Sequence, residues 1–207
     1  MANTTQMNIA NSVRPLPPMF RNSYCLFFLL GFATCQHDYT PKPRGFQHID
    51  LPKKEYELFD VGCPFTFEFP KYGVPVPDTD PKAEACWMNL HFPDYIATLH
   101  ISYKDLTKTK LHDAIADSRT FVYKHVIKAE AIDEIPFQLD SQTGGIRYDL
   151  QGNTANHYQF YVTDRKNHFL RAALYFNAQT IPDSVEPVFE FLRADAEHLL
   201  KTLKWKN

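Results

Sequence analysis

The sequence predicts an α+β fold, a single domain in which an antiparallel sheet of about seven strands is packed by two long helices. Three observations predict it. Segments with apolar residues at every second position recur, beginning with Cys63-Pro64-Phe65-Thr66-Phe67-Glu68-Phe69-Pro70, and period two is the spacing of a half-buried strand. The late strands are joined by turns too short for a crossover, such as Gly152-Asn153, which makes their pairing antiparallel. Two longer stretches, 109–130 and the residues from Asp183 onward, carry apolar residues at i, i+3 and i+4 instead, the pattern of a helix with one buried stripe.

Taken in order, the packed domain begins near Phe59. Its first strand is the alternating segment, with Phe65, Phe67 and Phe69 turned inward. Residues 71–84, KYGVPVPDTDPKAE, read as a Pro/Asp loop. Cys86–Phe92 and Tyr95–Tyr103 form a hairpin closed at Pro93-Asp94. A two-residue loop there sets Phe92 opposite Tyr95, Leu90 opposite Ala97 and Met88 opposite Leu99, all apolar pairs. The other face of this hairpin carries Trp87, Asn89, His91, Ile96, Thr98 and His100. That polar and aromatic surface is the best candidate for an interaction face.

The helix over 109–130 buries Leu111, Ile115, Ser118, Val122 and Val126, with Thr107 or Thr109 as its cap. Four strands follow, Asp133–Leu139, Gly145–Leu150, His157–Thr163 and His168–Phe176. Their joints, Thr143-Gly144-Gly145, Gly152-Asn153 and Asp164-Arg165-Lys166-Asn167, are all turn-forming. The last strand is mostly apolar on both faces, as a central strand is. Its Arg171 needs a partner if buried, and Asp195 or Asp149 is the expected counter-ion. Asp183-Ser184 caps the final helix, Pro187 lies in its first turn, and Val188, Phe191, Leu192, Leu199 and Leu203 form its stripe. This element order resembles the PsbP-like fold, a scaffold for binding and assembly. Analogy of fold bears only weakly on function.

Ahead of the domain lies Tyr24 to Cys35, YCLFFLLGFATC. It is too short to span a bilayer, which takes about 20 apolar residues. Basic residues Arg14 and Arg21 before it and small residues at its end make the pattern of a secretory signal. Phe32-Ala33-Thr34-Cys35 resembles the lipobox of bacterial lipoproteins, with Phe32 and Thr34 as departures. The resemblance implies cleavage after residue 34 and lipid attachment at Cys35. A plain cleaved signal and a buried apolar strand are the alternatives. Met19 begins a more compact signal than Met1 does, so it is a candidate start. Residues 36–58 then form a proline-containing arm, either a plain tether or, through Arg44-Gly45-Phe46, a docking segment.

Cys63 and Cys86 remain as a pair. In an oxidising compartment they are candidates for a disulfide closing a loop of about 24 residues, worth roughly 3 kcal/mol by chain entropy. Two buried free thiols are the alternative. Lys and Arg total 22 against 24 Asp and Glu, and no basic run offers a phosphate footprint, so nucleic acid is not an expected partner. Seven glycines argue against a glycine-rich nucleotide loop, and no cofactor is expected. No metalloprotease motif, dinucleotide fingerprint or nucleophile elbow occurs. His91 and His100 on one face are half of a zinc site, and Asp164 to His168 gathers acid, base and imidazole, but satisfied histidines and turn chemistry explain both. Neither a metal nor catalytic residues are expected.

Several blocks resemble the gliding motility lipoprotein GldD family of the Bacteroidetes. They are Tyr39-Thr40-Pro41-Lys42-Pro43-Arg44-Gly45-Phe46, the Cys63 to Pro70 strand, Cys86-Trp87-Met88-Asn89-Leu90, Tyr161-Val162-Thr163-Asp164, His168 to Asn177, Pro187-Val188 and Thr202-Leu203-Lys204-Trp205-Lys206. The resemblance implies an envelope lipoprotein needed for gliding and linked to the type IX secretion machinery. It implies no known catalytic residues, and a GldE-type integral membrane protein as a companion. Gln36 after the lipidated cysteine favours the outer membrane, facing the periplasm, by analogy with enterobacterial sorting. The alternative function is an envelope protein that binds glycan or peptidoglycan fragments on the face of Trp87, Asn89, His91 and His100.

Overall fold

The computed structural model describes residues 50–124, 129–152, 154, 156–176 and 182–206. The chain divides into two units, Met1–Gly45 and Phe46–Asn207, and every described residue belongs to the second. The leader, Cys35 and the arm residues Arg44, Gly45 and Phe46 lie outside the described residues.

Seven strands form one antiparallel sheet, with a membership different from the expected one. They are β3 (Val74–Pro77), β4 (Met88–Phe92), β5 (Ala97–Asp105), β6 (Ala129–Gln138), β7 (Gly144–Gly152), β8 (Asn156–Thr163) and β9 (His168–Phe176). Their spatial order is β3-β4-β5-β9-β8-β7-β6. The Phe-rich strand β2 (Phe65–Pro70) is not among them. It sits between β1 (Tyr56–Phe59) and β10 (Lys204–Trp205) in a separate three-stranded sheet. Its place in the large sheet goes to β3, inside the stretch read as a loop. Pro75 and Pro77 concealed that strand. Proline is tolerated in an outer strand, whose free side needs no N–H, and β3 is outermost. Pro136 lies in β6, at the opposite edge. Each proline removes one donor from its edge strand, which makes pairing with a foreign strand less favourable.

The β4–β5 hairpin is offset by two residues from its expected register. Met88 pairs with Ile101, Leu90 with Leu99 and Phe92 with Ala97. The turn is a single 3-10 turn, Pro93–Tyr95, followed by Ile96 in the left-handed region at φ 50°. Two-residue hairpin loops need positive φ at their first central position, which Pro93 cannot adopt. A slip of two leaves each side chain on its own face, so the polar face survives the correction.

Helix α1 (Leu111–Tyr123) is shorter than the expected 109–130, because Ala129 onward pairs with β7. Its N-cap is Lys110, without a side-chain bond. The Thr107 N–H and hydroxyl instead bond to Asp105 Oδ1. Helix α2 (Pro182–Thr202) starts early enough that Pro187 falls in its second turn. The expected boundary near Phe59 lies inside packed structure, since β1 pairs with β2 and Lys54 reaches α2.

The two faces of the large sheet are buried differently. One packs Leu90, Leu99, Phe160, Leu170 and Leu174 against β2 and against Leu192 and Leu199 of α2. The other packs Tyr148, Leu150, Tyr161 and Phe169 under Ala114 and Val122 of α1. Cys63 and Cys86 are joined by a disulfide, with Cα atoms 5.8 Å apart. The bond ties the chain entering β2 to the chain entering β4.

Candidate functional site

Alternation along β4, β5 and β9 puts Asn89, His91, Thr98, His100, Ser102, Arg171 and Tyr175 on the α1 side of the sheet. The apolar seat of α1 lies over β7, β8 and β9. Beyond it, toward β4, the surface is polar and aromatic and opens into a cavity of about 310 Å³. Trp87, His100, Ser102, Arg171 and Tyr175 line it from the sheet, Phe121 from α1, and Asp78 from the loop after β3.

The predicted interaction residues divide into pairs. His100 Nδ1 lies 2.6 Å from Asn89 Oδ1, directly across the β4–β5 ladder. With the amide oxygen accepting, the imidazole donates through Nδ1 and leaves Nε2 free to accept. The ring meets Tyr175 edge-on, with centroids 5.2 Å apart. His91 Nδ1 contacts Thr98 Oγ1 at 3.0 Å. The Trp87 indole N–H donates to the Tyr103 carbonyl at 2.8 Å, which closes the β5 edge where β4 ends and leaves the ring half-buried at the cavity wall. Trp87 and His100 thus share the cavity. Asn89 supports it through His100, and His91 lies outside it. Burial holds the His100 pKa below its ordinary value; Arg171 and His91 push the same way, and Asp78 opposes them. Among the described residues no group of three or more His, Cys, Asp or Glu side chains is arranged to hold a metal ion.

Arg171 is the residue that sequence reasoning misplaced. Its expected counter-ions are both engaged on the α2 side of the sheet. Asp195, 1% exposed, accepts from Lys54 Nζ at 2.6 Å, from the Tyr56 hydroxyl at 2.9 Å and from the Tyr72 hydroxyl. Asp149 lies 3.4 Å from both Arg193 and Arg147. The cause is strand parity. Arg171 stands opposite Ser102 and Tyr161, on the α1 face, whereas Asp149 stands opposite Tyr158 in the α2-side core. Arg171 Nη2 donates to Gln159 Oε1 at 2.5 Å, its guanidinium lies 4.9 Å from the Phe121 ring centroid, and its Nε is buried without a hydrogen-bond partner. Burial lowers its pKa, with Tyr175 acting to raise it. Phe121 was legible only as an exposed aromatic on the charged side of α1. Asp78 and Tyr175 gave no signal of their own.

The other clusters are structural. Asp164 Oδ1 accepts the backbone N–H groups of Lys166, Asn167 and His168. Burial opposes the effect, but these bonds hold its carboxyl below the ordinary range. The acid–base–imidazole loop is therefore a capped turn, and His168 is held by the Tyr103 hydroxyl at 2.8 Å and by stacking on Trp205.

A sequence model of the family described as gliding motility lipoprotein GldD matches residues 36–205. The chain belongs to that family. It is accordingly a gliding-motility lipoprotein, a lipid-anchored protein of the cell envelope. The matched span takes in every described strand and both helices, and with them the whole cavity. Comparison with curated proteins gives no match. Among solved structures, the chain is similar to the cyanobacterial PsbP protein CyanoP from Synechocystis sp. PCC 6803, at 11% identity and a TM-score of 0.46, covering 77% of this chain and 97% of that one.

Proposed function

We propose that the mature chain, lipidated at Cys35, is a non-catalytic assembly or accessory factor for gliding motility and for the type IX secretion machinery linked to it. The observation that carries this reading is the family match, which begins at Gln36, the residue after Cys35. On this reading residues 1–34 are removed, 35–58 form a lipidated arm, and 59–207 form the presented domain. The last residues of the arm fold back onto that domain, through Lys54 and Tyr56 on Asp195. Arg44, Gly45 and Phe46 are the proposed docking segment toward a membrane protein of the GldE type. Gln36 supports delivery to the outer membrane, facing the periplasm.

A deletion strain complemented with wild type or with Cys35→Ala tests this. Spreading and type IX cargo secretion should fail in the deletion, return with wild type and stay impaired with Cys35→Ala. A deletion strain that spreads and secretes normally would end the proposal, and mass spectrometry finding no acylated cysteine would end its tether. The alternative, binding of glycan or peptidoglycan fragments, draws on Trp87 and His100 lining one cavity. Calorimetry with cell-wall fragments on wild type and Trp87→Ala separates it, since no heat of binding removes it.

A further inference from the structure

Arg171 lacks the counter-charge that its position calls for. Its hydrogen bonds to Gln159 and Tyr175 and its ring contact with Phe121 are all to neutral groups, its Nε is buried and unpartnered, and it forms no ion pair with a carboxylate among the described residues. An arginine stays charged in such surroundings, and an uncompensated charge set back from water is costly unless something pairs with it. This one lines a cavity of about 310 Å³, within the range that takes up small ligands. Trp87, Phe121 and Tyr175 supply aromatic walls.

We infer that this cavity binds a small organic carboxylate. The carboxylate pairs with the Arg171 guanidinium, whose planar fork suits a two-oxygen acceptor, and the ligand's apolar body lies against the aromatic walls. The charge count disfavours a ligand with more than one negative charge. Among the described residues Arg171 is the one cation lining the cavity, Lys124 stands outside it on the Phe121 ring at 4.8 Å, and Asp78 sits at the wall, so a phosphate dianion would be over-charged there. The cavity's size favours a free small molecule over a broad protein surface. This inference rests on neither functional reading above, because a binding measurement and a deletion phenotype fail independently.

The test uses the mature lipidated protein in detergent, with tryptophan labelled by ¹⁵N. Its two tryptophans give two indole signals, assigned with Trp205→Phe. Benzoate should shift the Trp87 signal saturably, with a dissociation constant in the millimolar range, and leave Trp205 in place. Arg171→Gln should weaken binding by about tenfold or more, and Arg171→Lys should recover part of it. Benzyl alcohol, the uncharged analogue, needs no variant and should produce no saturable shift. Absence of saturation by benzoate overturns the inference. So does equal saturation by benzyl alcohol or by inorganic phosphate, a response unchanged in Arg171→Gln, or a response to a short acidic peptide alone.

Discussion

Replacing Asp195 by alanine should be among the most destabilising single changes in this domain. Its carboxylate, 1% exposed, receives Lys54 at 2.6 Å, Tyr56 at 2.9 Å and Tyr72. Lys54 also donates to the Phe191 carbonyl at 2.7 Å and lies 3.9 Å from the Phe191 ring centroid. Removing one partner of a buried ion pair costs about 3–5 kcal/mol, and a stranded buried hydroxyl about 1–3 kcal/mol. These losses share one site and do not add. Lys54, 30% exposed, can turn toward water, so the low end applies, about 3 kcal/mol. Urea denaturation reads it as a lower midpoint at an unchanged slope. Asp195→Asn should lose less, because an acceptor oxygen remains, and Tyr72→Phe about 1 kcal/mol. The surface pair Lys71–Glu55, 57% exposed on both sides, serves as the control, and Lys71→Ala should leave the midpoint unmoved. A loss below about 1 kcal/mol for Asp195→Ala would mean that the β1 segment is not clamped to α2 through this carboxylate.

Three further outcomes follow from the same structure. Reducing the Cys63–Cys86 bond, with its sequence separation of 23, should cost about 3 kcal/mol by chain entropy, read by denaturation with and without reductant; an unchanged midpoint would refute it. On the acid side, His100 has its pKa lowered from 6.5 chiefly by burial, so the unfolded chain takes up the proton first and stability should fall as pH drops below 6.5, levelling once His100 is protonated in the fold; Tyr56 and Tyr72 are raised from 10.0 by burial and then by their bonds to Asp195, so stability should fall again as pH rises past 10.0, and thermal melts across pH check both limbs. Arg171→Met should change stability by less than about 2 kcal/mol, because the gain from removing an uncompensated guanidinium is set against the buried Gln159 Oε1 that loses its donor; a loss above about 2 kcal/mol in urea denaturation would make Arg171 a structural rather than a binding residue.

What was legible in the sequence followed period and turn chemistry. The alternation of Leu170, Ala172, Leu174 and Phe176 against Phe169, Arg171, Ala173 and Tyr175 marked β9 as a buried strand, and the structure gives it the predicted bounds, His168–Phe176. The stripe of α1 was readable for the same reason. The failures were tertiary. Nothing local distinguishes β2 as the centre of a second sheet, because inward phenylalanines suit either sheet equally. Pro75 and Pro77 argue against a strand unless the strand is known to be an edge, and edge position is a property of the assembled sheet. The partners of Asp195 were invisible because Lys54 and Tyr56 belonged to a segment read as an arm. Within the site, Trp87 and His100 came from hairpin parity. The cavity itself required knowing where α1 ends its cover of the sheet and which face Arg171 takes.

The disulfide and the cavity meet at two adjacent residues. Cys86 holds its backbone at φ 66°, a region that a side-chain-bearing residue enters only at a cost of about 1–2 kcal/mol, and Trp87 follows at once as a wall of the cavity. The bond to Cys63 keeps Cys86 there, and the Trp87 N–H bond to the Tyr103 carbonyl fixes the indole over the end of β4. Reduction therefore acts on the cavity through one peptide link, whereas the Asp195 clamp acts on β1 and α2 across the sheet. A disulfide persists in oxidising compartments, which agrees with the envelope setting of a lipoprotein. The two perturbations should separate. Asp195→Asn should lower stability with the Trp87 indole environment unchanged, and reduction should disturb both. If reduction weakens the fold yet leaves the Trp87 signal unmoved, the bond serves the three-stranded sheet alone and the cavity wall is set by the hairpin.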